Sequence, residues 1–319
     1  MILRLGSRGS RLALWQAEHV KGRLEELHPG LRVEIRILHT VGDRITDVPL
    51  ARIGDKGLFT KEIDRAVLSG EVDAAVHSLK DVPTRLPDGI TLGAILERED
   101  PRDVFLPAPG RPATLDALPS GARVGTSSLR RRAQLLHRRP DLVVEDLRGN
   151  LDTRFARLRD GRLDAAILAR AGVHRLGLLD HVGEVLAAPD WLPAVGQGAL
   201  GVAIREDDVA VRDLVAPLTD PDALAATTAE RAFLRDLEGG CQIPIGALAT
   251  REGEMLRLHG LVASLDGTEL LRGEVSGRVD DPAGLGSRLA AELIERGAGE
   301  ILGAIRGATT DSVPNASAP

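Results

Sequence analysis

The sequence predicts an α/β protein built from two similar α/β domains and a small C-terminal α+β domain. Three observations predict it. The 319-residue length exceeds the size at which a single hydrophobic core usually stops growing, so two or three domains are expected. Strand-like and helix-like periodicities alternate through the first two thirds of the chain. Three short blocks then recur in the same order in the first and middle thirds.

The opening reads as a βαβ unit: a strand from Ile2 to Leu5, a helix from about Ser10 to Leu27 and a strand from Val33 to Leu38. A helix from about Gly57 to Leu68 stops at Ser69-Gly70. The short apolar run Asp73-Ala74-Ala75-Val76 reads as a buried strand, and His77-Ser78-Leu79-Lys80-Asp81-Val82-Pro83 leaves its carboxyl end. The middle third repeats this plan. Arg4-Leu5-Gly6-Ser7 corresponds to Arg123-Val124-Gly125-Thr126, and His28 to Glu34 corresponds to Arg139 to Glu145. Gly70-Glu71-Val72-Asp73-Ala74-Ala75-Val76 corresponds to Gly161-Arg162-Leu163-Asp164-Ala165-Ala166-Ile167. Chance likeness of generic βα units does not preserve three blocks in order.

Glu97-Arg98-Glu99-Asp100-Pro101-Arg102 breaks the pattern and marks a boundary, and the chain is expected to cross back near Pro193 to Gly201. The expected division is residues 1–98 with 197–215, residues 99–196, residues 216–307, and a disordered tail, 308–319, rich in Thr, Ser, Pro and Ala. The third domain reads as a helix from about Asp222 to Leu237, strands near Ile245 to Ala249, Leu256 to Leu265 and Glu269 to Val275, and a helix from Ala283 to Ala304.

Charged residues make up 28% and the apolar set 43%, near the globular average. No stretch approaches the ~18 apolar residues of a membrane span, and the start lacks the pattern of a signal peptide, so a cytoplasmic location is expected. One cysteine forms no internal disulfide, and the eight histidines show no zinc spacing, so no metal is expected. The net charge of −6 disfavours nucleic acid as a partner, although arginines outnumber carboxylates about two to one between Arg123 and Arg175. Of 41 basic residues only Lys21, Lys56, Lys61 and Lys80 are lysines, so a single Arg says little here and a retained Lys says more.

Ligands of open α/β sheets bind beyond the carboxyl ends of strands, which directs attention to those loops. Gly6-Ser7-Arg8-Gly9-Ser10 and Gly125-Thr126-Ser127-Ser128-Leu129-Arg130-Arg131 each join a strand to a helix N-terminus and combine free backbone N–H groups, hydroxyls and guanidinium forks. Ser10 and Ser128 also fit ordinary N-caps, which leaves the arginines unexplained. Arg148-Gly149-Asn150 and Arg154 follow the next strand, and Arg175 follows the strand Ala165 to Leu168. Converging on one cleft, they suit a ligand with several carboxylates; phosphate fits the charge equally well. Lys80-Asp81 beyond a buried strand is either a surface pair or a carboxylate held ionised beside a developing cation.

Gly196-Gln197-Gly198-Ala199-Leu200-Gly201 fits G-x-G-x-x-G, but Pro193 precedes it and a strand follows it, which is the wrong setting for a dinucleotide. A hinge or cleft wall fits better. Cys241 lies in Gly239-Gly240-Cys241-Gln242-Ile243-Pro244, a loop after a helix; a free thiol is often a small buried hydrophobe, whereas a loop thiolate serves as nucleophile or attachment point.

Together these segments resemble the porphobilinogen deaminase family from Leu3 to about Gly307. The resemblance is carried by His77 to Pro83, Val124-Gly125-Thr126-Ser127-Ser128-Leu129-Arg130-Arg131, Leu147-Arg148-Gly149-Asn150, Pro193-Ala194-Val195-Gly196-Gln197-Gly198 and Glu238-Gly239-Gly240-Cys241-Gln242. It implies three domains, the first two like type II periplasmic binding proteins, and polymerisation of four porphobilinogens into linear hydroxymethylbilane with loss of ammonia. It implies a dipyrromethane primer held through Cys241, no metal, and a monomer. Asp81 is the implied catalytic group, stabilising the azafulvene cation left by ammonia. Cofactor contacts are implied for Lys80, Asp81, Thr126, Ser128, Arg130, Arg131 and Arg148, and substrate contacts for Arg8, Ser10, Arg148, Arg154, Arg175 and Gln197. Leu151-Asp152, Arg170 and Val173 depart from the family pattern, and Arg170 has no role assignable from sequence.

Two other classes compete. A solute receptor or effector domain would use the same two-domain cleft without needing Asp81 or Cys241. A nucleic-acid surface over Arg123 to Arg175 lacks interleaved aromatic platforms, Phe155 apart.

Overall fold

The computed structural model describes residues 1–40, 60–237 and 243–310, with side chains to 307. The expected helix start at Gly57, Cys241 with its two glycines, and the tail from 311 lie outside the described residues.

The first sheet contains β1 (Ile2–Ser7), β2 (Arg32–Ile37), β3 (Ala74–Ser78), β4 (Ile90–Ile95) and β10 (Leu200–Arg205), in the order β2-β1-β3-β10-β4. The second contains β5 (Asp103–Pro107), β6 (Arg123–Gly125), β7 (Val143–Glu145), β8 (Ala165–Ala169) and β9 (Glu184–Leu186), in the order β7-β6-β8-β5-β9. The two orders superimpose position for position. In each sheet the fourth place is filled by an antiparallel strand that enters just after the chain has crossed from the other: β10 beside β3 and β4, β5 beside β8 and β9.

The repeat has a shared physical basis. Asp73 accepts the backbone N–H of Arg4 at 2.7 Å, and Asp164 accepts that of Arg123 at 2.7 Å. The main chain answers in both lobes, with Asp73 N–H on Arg4 C=O and Asp164 N–H on Arg123 C=O. One aspartate before each buried strand therefore sets the register of its neighbour.

Helices cover the sheets: α1 (Arg11–Leu27), α2 (Lys61–Leu68) and α6 (Val209–Val215) on the first, and α3 (Leu129–Arg138), α4 (Leu151–Arg159) and α5 (Arg170–Arg175) on the second. Leu3, Leu5, Val20, Leu24, Val76 and Val202 form one core; Phe105, Val124, Leu135, Ile167 and Trp191 form another. Each strand end that carries a motif thus emerges from a buried sheet.

The third unit is the antiparallel sheet β11 (Ile245–Glu252), β12 (Met255–Ala263) and β13 (Leu270–Arg278), with α7 (Pro221–Asp236) and α8 (Pro282–Leu293) packed on it. The last helix departs from the sequence expectation. Gly297 has φ +102°, a left-handed conformation that ends the run after α8, and α9 resumes at Gly299. Helix α9 then runs to Thr310, so residues 308–310 are helical rather than tail: the buried stripe Ile301, Leu302 and Ile305 anchors it and carries it a further turn.

Candidate active site

The strand β3 ends at Ser78, and Leu79–Asp81 form one 3-10 turn closed by Val82 N–H on Leu79 C=O. Leu79 is buried and donates its N–H to Ala199 C=O of the second crossing, which holds the turn against the hinge. Asp81 is exposed and Lys80 half-buried beside it. Burial lowers the Lys80 ammonium to about 8; Arg131 adds to this, whereas Asp81 opposes it. The cation is retained at neutral pH but is readily titrated.

Lys80 Nζ lies 3.4 Å from Gln197 Oε1, and Arg131 Nη2 lies 3.4 Å from the same oxygen. Gln197 is 1% exposed and its Nε2 donates to Pro101 C=O at 2.6 Å and Asp103 Oδ1 at 2.8 Å. The glycines on either side have their own reason. Gly196 and Gly198 have φ of +70° and +93°, and a Cβ on Gly198 would meet the Glu99 carbonyl oxygen at 2.2 Å. The G-x-G-x-x-G segment is therefore where the two crossings touch, not a nucleotide loop.

Arg130 and Arg131 were expected to hold ligand carboxylates, but the structure supplies them with one from within. Asp103, wholly buried, accepts from Arg130 Nη1 and Arg131 Nη2 at 2.8 Å each, and from Trp191 Nε1 at 2.9 Å. Burial pushes the Asp103 carboxyl up, but the two guanidiniums outweigh it and hold it far below the usual carboxylate range. Arg130 also donates to Leu192 C=O, while its Nε, like that of Arg131, is buried without a partner. The sequence carries a signal for this that the boundary reading passed over: Asp103 opens the apolar run Val104-Phe105-Leu106, and a carboxylate there requires a cation.

Thr126 is buried and its Oγ1 accepts the Ser128 N–H; Ser128 caps α3 through Arg131 N–H. Arg154 Nε donates to Gly149 C=O at 2.9 Å. Burial lowers Arg154 to about 10, with Arg131 and Arg148 adding to the effect and Asp81 opposing it. Among the described residues, Arg148 Nη1, Arg131 Nε and Ser127 Oγ are buried without a partner. Unpaired guanidinium nitrogens fit a carboxylate-bearing group and disfavour an apolar one. Ser127 is an addition to the residues expected from sequence.

The remaining expected residues sit at the margins. Ser10 caps α1 through Ala13 N–H. Arg8 is half-buried, and burial with its charge depresses the enclosed His77 to about 4. Arg175 Nη2 donates to Gly198 C=O at 2.7 Å and stacks 5.5 Å over Trp15, bridging the lobes. Arg170 pairs with Glu99 and Asp100 of the first crossing, which accounts for a cation that had no role in the sequence reading.

Sequence reasoning also passed over Glu230. It is fully buried on α7, bonded to Arg98 at 2.6 and 3.0 Å, and accepts the N–H of Gly196 and Ala249. One carboxylate thus joins both crossings to β11. Its signal is a charge within the apolar stripe Ala225, Ala226, Ala229 and Phe233.

Residues 3–213 match the family model described as "Porphobilinogen deaminase, dipyromethane cofactor binding domain", and residues 224–295 match "Porphobilinogen deaminase, C-terminal domain". The chain belongs to the porphobilinogen deaminase family. It is 55% identical to the porphobilinogen deaminase of Moorella thermoacetica, over 94% of this chain and 95% of that one. It is 53% identical to that of Pelotomaculum thermopropionicum, over 93% and 95%. Among solved structures it is similar to the BenM effector binding domain with benzoate, at TM-score 0.43 and 15% identity over 69% of this chain and 95% of that one. It is also similar to the arginine-specific Salmonella typhimurium periplasmic binding protein STM4351, at TM-score 0.40 and 15% identity over 70% and 93%. The porphobilinogen deaminase family makes this chain an enzyme of tetrapyrrole synthesis, a transferase whose first two lobes form a dipyrromethane-binding unit. Among the described residues no helix is long and apolar enough to cross a membrane, and no cluster of His, Cys, Asp and Glu could hold a metal.

Proposed function

We propose that the chain polymerises four porphobilinogens into linear hydroxymethylbilane with release of ammonia, as a cytoplasmic monomer, on a dipyrromethane attached through Cys241. The observation that carries the reading is that Lys80, next to Asp81 in the chain, and Arg131 of the other lobe each approach Gln197 Oε1 at 3.4 Å, with buried nitrogens of Arg131 and Arg148 lacking partners.

When bound, the dipyrromethane supplies the pyrrole terminus to which new units are joined. Its acetate and propionate groups would be held by Lys80, Arg131, Arg148 and Ser127, with Thr126 and Ser128 shaping the start of α3. Arg130 serves by fixing Asp103, and so the aim of Arg131. Arg8, Arg154 and Arg175 provide cations for incoming substrate, with Ser10 orienting the Arg8 loop and Gln197 joining the lobes.

Asp81 is an exposed carboxylate in the turn that follows β3. It accepts pyrrole N–H groups, offsets the positive charge that develops on substrate as ammonia leaves, and takes the proton released on carbon–carbon bond formation.

Intact-mass measurement tests the reading. The purified protein should exceed its sequence mass by two linked pyrrole units, and Cys241→Ser should lack the increment and the activity. A fully active protein at the bare sequence mass refutes it.

A further inference from the structure

Arg231 stands on α7, the helix of the third unit that leads into the segment carrying Cys241. Its Nη1 donates to Val82 C=O at 3.0 Å and its Nη2 to Pro83 C=O at 2.6 Å. These are the first two carbonyls after Asp81. The Val82 side chain packs with Leu79 and Ala223, but beyond it a cavity of about 330 Å³ separates Thr84 and β4 from Thr228, Arg231 and Arg235. Packing is thin there, and a two-pronged guanidinium contact spans the gap.

The same helix is fixed at neighbouring points. Glu230 binds Arg98, Gly196 N–H and Ala249 N–H, and Arg306 donates to Leu237 C=O at the end of α7. A strut therefore runs from the Asp81 turn, past both crossings, to the last described residue before the Cys241 segment.

We propose that Arg231 is a positioning residue for the polymerisation: it locks the turn bearing Asp81 to the helix that leads to the primer's attachment point, so that the two keep one spacing while units are added. The proposal rests on the functions assigned above to Asp81 and Cys241. Its Nη1 and Nη2 donate to main-chain carbonyls of the segment after Asp81, so its loss is expected to act on turnover and not on carboxylate binding. A methionine preserves the aliphatic stem and removes both donors; a lysine keeps the charge and reaches one carbonyl at a time.

The test compares full-length wild type, Arg231→Met and Arg231→Lys by intact mass, thermal midpoint, kcat, KM and the distribution of covalent intermediates along the chain-growth series. The expected result is the wild-type primer mass in all three, kcat of Arg231→Met lower by about tenfold or more with KM within about twofold, and partial recovery in Arg231→Lys. Intermediates should accumulate at every length. Wild-type kcat in Arg231→Met, a loss confined to KM, or a loss that only follows the unfolded fraction overturns the proposal. Where Arg231→Met does not fold, Arg231→Lys decides: a reduced kcat at unchanged KM supports the role, and wild-type kinetics refute it. Wild-type protein without the two-pyrrole increment overturns the underlying reading instead, and this one with it.

Discussion

Gln197 Nε2 donates to Asp103 Oδ1 at 2.8 Å, joining the second crossing of the chain to the first strand after the earlier crossing. The same amide presents its oxygen to Lys80 from one lobe and Arg131 from the other. An amide is suited to this place because it donates to an anion and accepts from cations at once. The lobes thereby meet through a neutral group, and the charges on either side remain available to a ligand.

Asp103 balances two buried guanidiniums, so Asp103→Asn should be strongly destabilising, by about 3–5 kcal/mol, because it leaves cations buried without an anion. Chemical denaturation checks this. The folded-state carboxyl lies below its unfolded value, so the contribution is present above about pH 4 and is lost as pH falls below it through the folded value. The variant should accordingly lose the part of the wild-type acid sensitivity that falls in this range.

Lys80 titrates at about 8 because burial disfavours its charge. The ammonium is present below that value and disappears above it, so carboxylate binding weakens as pH rises. Bound carboxylates move the titration upward. kcat measured against pH with the primer in place should show a fall beginning at or above pH 8, and Lys80→Arg should remove it from the accessible range. A profile identical in wild type and variant would detach Lys80 from binding.

Asp81→Ala should retain the primer mass and lose turnover by about 10²-fold or more, the scale of a removed acid–base and electrostatic group. Single-turnover rates and intact mass together check it; near-normal rates with the primer in place would remove Asp81 from the chemistry.

Arg148 has a buried nitrogen with no partner, so Arg148→Leu should cost little stability and impair addition of pyrroles. The expected outcome is at least a tenfold loss in kcat/KM, the scale of about 1.4 kcal/mol or more from one charge-assisted contact. Unchanged kinetics would reduce Arg148 to a surface residue.

The sequence by itself determined the local elements, because strand and helix periodicity and caps such as Ser10 and Ser128 act over a few residues, and it showed the repeat because the Asp73 and Asp164 blocks recur in order. The loops after β1, β3 and β6 were legible for the same reason: each follows a strand, and position after a strand end needs no knowledge of the rest of the fold. What only the tertiary structure decided is which charges face one another. The exchange of β5 and β10 between sheets brings Asp103 onto Arg130 and Arg131, and α7 brings Glu230 onto Arg98 and Arg231 onto the Asp81 turn. These partners are up to 149 residues apart. An arginine satisfied inside the protein and one left for a ligand look alike in sequence, since the difference lies in the distance to a carboxylate that only folding sets.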